Sequence, residues 1–113
     1  MSQITLKVSL ESPDPSQAGL YAQELRNRIL DEVQQGASVS LGREKAESQQ
    51  FFETVIIDVA GAALVHMVLK VIEHYRRPPG MTLRIQKGGQ VAVLSDVNPN
   101  AAKELERLRE EEP

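Results

Sequence analysis

A chain of 113 residues with a formal charge of −3 and a pI near 5.4 has room for one domain built on one core. At 41% hydrophobic and 26% charged it is too apolar for a disordered segment, and its mildly acidic balance disfavours a nucleic-acid binder, whose phosphate contacts need a clustered basic face. The lack of cysteine excludes disulfides and thiolate metal sites and suits a reducing, cytoplasmic setting, while the lack of tryptophan leaves the core to aliphatic side chains.

The N-terminal "MSQITLKVSL" has no basic region followed by a long apolar run, so a signal peptide is not expected there. From Ile4 the residues alternate: Ile4, Leu6, Val8 and Leu10 against Thr5, Lys7 and Ser9. Period two predicts a strand with one buried face. "SPDPSQ" ends it and starts a helix, with Asp14 as N-cap, Pro15 at the first helical position and Gln17 where a capping-box partner belongs. Ala18, Tyr21, Ala22, Leu25, Ile29 and Val33 make that helix's apolar stripe to about Gln35, and Gly36 stops it. "ASVSL" reads as a short second strand with Val39 and Leu41, and "GREKAESQQ" as a polar loop.

Residues 51–77, "FFETVIIDVAGAALVHMVLKVIEHYRR", are the most apolar stretch. Ile57, Ala60, Gly61, Leu64, Met67, Val68, Val71, Ile72 and Tyr75 recur at three and four, with Asp58, His66, Lys70, Glu73 and Arg77 opposite. That spacing predicts one long helix laid on a sheet in water, rather than a membrane span. Arg76 and Arg77 suit the negative end of its dipole, and "PPG" ends it. Val55, Val59, Ala62, Val65 and Leu69 fall on or beside the polar side, so the helix has a second apolar face that needs a second partner. The partner is the first helix, the C-terminal helix or another protein chain, including a second copy.

"MTLRIQKGGQVAVLS" predicts a hairpin in which Gly88 and Gly89 both take positive φ and Leu83, Ile85, Ala92 and Leu94 share a face. Asn98 and Pro99 open a short last helix with Leu105 and Leu108, before the acidic "REEEP". The order β-α-β-α-β-β-α predicts an α+β, two-layer sandwich with about four strands in a mixed sheet and two main helices on one face. Residues 1–97 form the domain, and 98–113 a short C-terminal helix and acidic tail.

No chemistry stands out in this pattern. His66 and His74 lie roughly 80° apart around a helix, and no zinc-protease spacing joins them to Asp58. There is no Gly-x-Ser-x-Gly elbow, and "KGGQ" lies between strands rather than before a helix, so it reads as a turn. No catalytic residue, cofactor or metal is expected. Candidate partner-interface residues are Val55, Val59, Ala62, His66 and Leu69 on the long helix, with Leu105 and Leu108 on the last one.

The arrangement resembles the effector-associated constant-component proteins of bacterial conflict (defence) systems. The resemblance spans about residues 3–97. It rests on the opening strand "ITLKVSLE", the element order, a small-residue-rich segment "VIIDVAGAALVHMVLKVIEHYRR" with Gly61, and the hairpin "LRIQKGGQVAVLS" with Gly89. Many members carry a tryptophan and an arginine-rich end to the long helix; here Tyr75 stands near the aromatic position and "RR" is followed by "PPG". The resemblance implies a non-enzymatic adaptor or regulatory component that works beside a caspase-like or trypsin-like peptidase or a signalling NTPase, with no catalytic residue to carry over. The other reading is a small self-associating α+β module that acts at a membrane surface or binds a small anionic ligand.

Overall fold

The alternation at the N-terminus forms strand β1, Ile4–Glu11, with Leu6, Val8 and Leu10 fully buried. The computed structural model describes residues 3–12, 14–33, 35–45, 51–75, 80–95 and 97–109, with backbone alone at 15, 43–45 and 51–52. Helix α1, Pro15–Glu32, is capped by Asp14, whose carboxylate accepts the Ser16 N–H at 3.0 Å. Its whole expected stripe, from Ala18 to Val33, lies in the core.

Gly36 makes the turn into β2, Ala37–Lys45, with φ 87°. Its carbonyl accepts the Ala60 N–H, and a Cβ there would stand 2.7 Å from Leu64 Cδ1. Positive φ and close approach both select glycine.

The segment 51–77 is not one helix. Phe51–Val59 is strand β3, and helix α2 covers only Ala62–His74. A run this apolar satisfies helical spacing and strict alternation at once. The aromatic and β-branched content of "FFETVIIDV" favours the strand, and its fully buried Val55, Ile57 and Val59 alternate with Ile56 and Asp58. Ala60–Gly61 is the hinge where the period changes from two to 3.6. Arg76 and Arg77 lie outside the described residues.

β4, Thr82–Lys87, and β5, Gln90–Leu94, form the expected hairpin. Leu83 faces Leu94 and Ile85 faces Ala92. Only Gly88, at φ 58°, is left-handed, so the turn has positive φ at its first position alone, as type II′ requires. Helix α3, Ala101–Arg109, closes the described chain.

The sheet therefore has five strands in the order β2-β3-β1-β4-β5, and every neighbouring pair is antiparallel rather than mixed. One core cluster joins the inward sides of the strands to α1, α2 and α3, so all three helices lie on one face. α3, set apart at residue 98 in the sequence reading, belongs to that same core through Leu105 and Leu108. Thr5, Lys7, Ser9, Arg84 and Gln86 point to the other face, where Thr5 Oγ1 donates to Asp58 Oδ1 at 2.6 Å across β1 and β3.

Candidate functional site

The residues singled out for a partner seam do not share a surface. Val55 and Val59 are on the helix-facing side of β3, Leu69 is on the inner face of α2, and Leu105 and Leu108 anchor α3; all five are buried in the chain's own core. Ala62 is half-buried at the start of α2, and His66 alone is exposed. The second apolar face existed only because a strand was wound into a helix. Once β3 is extended, its valines face α1, and the surplus apolar surface disappears inside the fold.

The sheet edges differ from each other. At β5 the outward backbone groups of Val93 are both satisfied: its N–H donates to Glu104 Oε1 at 2.9 Å, and its carbonyl accepts from Asn98 Nδ2 at 2.7 Å. The Asn98 amide also donates to Glu104 at 3.1 Å, which fixes the pair. Lys87 Nζ donates to the Leu108 carbonyl at 2.8 Å, and Arg109 pairs with Glu73 at 2.8 Å, so the C-terminal end of α3 is tied to β4 and to α2. At Val93 that edge is blocked by two side chains, a device against unwanted strand pairing.

At β2 the edge is open. The Gly36 carbonyl points toward β3, so alternation turns the N–H and C=O of residues 37, 39, 41, 43 and 45 outward. Among the described residues nothing pairs with this side of β2. Val39 and Leu41, on the helix-facing side, are only half-buried, because the core ends beside them. A nine-residue edge with free backbone groups and uncovered aliphatic side chains is a template for another strand.

A concave feature lies between α1 and α2. It is a groove of about 450 Å³ bordered by Arg28 and Glu32 from α1 and by Met67, Lys70 and His74 from α2. Tyr75 forms its end. The Tyr75 ring stands 5.0 Å from that of Tyr21, carries the Arg28 guanidinium 5.6 Å from its centroid, and donates its hydroxyl to the Glu24 carboxylate. Burial, then the Glu24 hydrogen bond and charge, push the Tyr75 phenol up to about 12 against a smaller opposing effect of Arg28. Sequence reading missed this groove because its cations come from two helices whose packing no spacing rule predicts.

Among the described residues no three His, Asp or Glu side chains cluster as a metal site, and no helix is long and apolar enough to cross a membrane. α2, at 13 residues, reaches about 20 Å against the ~30 Å of a bilayer core.

No family model matches the chain, and no curated protein matches it. Solved structures do. The de novo designed protein LFR1 1 with ferredoxin fold, determined by solution NMR, superposes with a TM-score of 0.52 at 17% identity, covering 88% of this chain and 90% of that one. The de novo designed protein Ferredog-Diesel gives 0.48 at 17% identity over 76% and 85%. The architecture is thus α+β of the ferredoxin type, here with β5 and α3 added beyond β4.

Proposed function

We propose that this chain is a non-enzymatic interaction module that assembles by strand addition at β2, and that it serves as an adaptor or regulatory component of a bacterial effector system. The carrying observation is the contrast between a β5 edge blocked at Val93 by Glu104 and Asn98 and a β2 edge with which no described residue pairs. The effector context rests on the family resemblance alone, and a peptidase or signalling NTPase encoded beside the gene is its expected correlate.

The occupant of β2 is a second copy of β2. Antiparallel pairing about a two-fold axis at Leu41 sets Leu41 against its equivalent, Val39 against Arg43 and Ala37 against Lys45, so no like charges oppose each other. Each outward residue then gives one N–H and takes one, and the exposed parts of Val39 and Leu41 cover one another. Centring the axis on Arg43 instead would oppose two arginines.

The test is sedimentation velocity with Leu41→Pro and Val39→Lys. Proline at an outward-facing edge position removes no bond of the monomer's own ladder but leaves the incoming strand without a donor. The expected result is a dimer for the parent chain and monomers for both variants, with unchanged far-ultraviolet circular dichroism. A parent chain that stays monomeric at high micromolar concentration, or folded variants that still dimerise, would overturn the reading.

A further inference from the structure

The α1–α2 groove is a binding site of a different kind. From its chemistry we infer that it takes a small organic oxyanion, a carboxylate or phosphate ester carrying a flat apolar group. This is independent of assembly through β2.

The charges support the anion. Arg28 and Lys70 face the groove from opposite helices, and the His74 imidazole adds a third nitrogen-bearing group one turn beyond Lys70. Among the described residues none of these three side chains makes an ion pair or hydrogen bond. The acids close by are otherwise engaged: Glu24 accepts the Tyr75 hydroxyl, and Glu73 turns away to Arg109. Among the described residues Glu32 is the one carboxylate lining the groove, and it is not paired with Arg28 one turn before it. A chain of net charge −3 thus concentrates unpaired cations at one place. Like charges left facing a shared space repel one another, and an anion between them relieves that repulsion.

The lining supports the apolar part. Arg28 is pinned over the Tyr75 ring, which leaves its outer N–H groups for a planar oxyanion. Val71 and Met67 add apolar lining, and Met67 is 41% exposed. Methionine is unbranched and polarisable, and adapts to a flat ring. A volume of about 450 Å³ lies in the range of small-molecule sites.

The test follows backbone amide shifts in the ¹⁵N-labelled chain at low salt during titration with phenyl phosphate and with benzoate, and with inorganic phosphate and benzyl alcohol as controls. The expected result is saturable shifts centred on residues 67–75 and on Arg28 for at least one aryl oxyanion. Binding should be tighter than for either control and about tenfold weaker in Lys70→Gln and in Arg28→Gln. Glu32→Gln, which removes the opposing charge, should tighten it. Failure of both aryl anions to saturate, or equal binding by the Lys70→Gln and parent chains, would overturn the inference. So would inorganic phosphate binding as tightly as the esters. Phenyl phosphate without benzoate would identify the ligand as a phosphate ester, and the reverse as a carboxylate.

Discussion

Tyr75 joins two helices at a single residue. Its ring lies between Tyr21 and the Arg28 guanidinium, its hydroxyl reaches Glu24 on α1, and its carbonyl accepts the Tyr21 hydroxyl at 3.4 Å. Burial of the ring and the hydrogen bond and charge of Glu24 favour the neutral phenol, and Arg28 opposes them. Because the folded-state value is raised above that of a free tyrosine, the associated stability is fully present below about pH 10. It is lost as the pH climbs toward 12. The phenolate absorbance of Tyr75 should therefore emerge only near pH 12, and Glu24→Gln should bring it to lower pH by removing a carboxylate that disfavours the ionised ring. Measuring the variant against the parent by ultraviolet titration checks this; an unchanged curve would mean that Glu24 has no hold on the phenol.

At the scale of elements, what was legible depended on whether a segment obeyed one period or two. β1, α1 and the β4–β5 hairpin each show one clean pattern, and their buried faces match it residue by residue. Residues 51–75 fit both periods, and the helical reading ran through Ala60–Gly61 without the break those small residues mark. A helical reading of this stretch puts Val55 and Val59 on a surface seam and conceals that β2 pairs with β3 on one side and with no described residue on the other. The closure of β5 was invisible for another reason. Glu104 reads as one more solvated acid on α3 until the fold brings its carboxylate to Val93. Glu104→Ala leaves the Val93 N–H without its acceptor and frees Asn98. It should cost about 1.5–3 kcal/mol, the usual worth of a hydrogen bond to a charged group. Urea denaturation reads the loss, and hydrogen exchange should quicken first at the amides of α3 and Val93.

For the molecule as a whole, α3 completes the core rather than trailing from it. Leu105 and Leu108 are buried against the β5 side of the sheet, and each contributes about 1.5–3 kcal/mol by burial. A chain ending at residue 97 loses both, about 3–6 kcal/mol together, and uncovers Leu94 and the β5 edge. Set against a typical domain stability of about 5–15 kcal/mol, that removes much of the margin. The truncated chain should melt well below the parent in thermal denaturation and precipitate on standing, and a truncated chain as stable and soluble as the parent would show α3 to be dispensable.

The inequality of the two sheet borders also bears on the stoichiometry of the proposed assembly. A sheet that could be extended at both ends would polymerise, each subunit offering the next a fresh place to add. Here one border is blocked at Val93, so under the proposed pairing two copies joined through β2 would form a finite pair rather than a growing sheet. In that proposed assembly the carboxylate of Glu104 and the amide of Asn98 would act as a chain terminator.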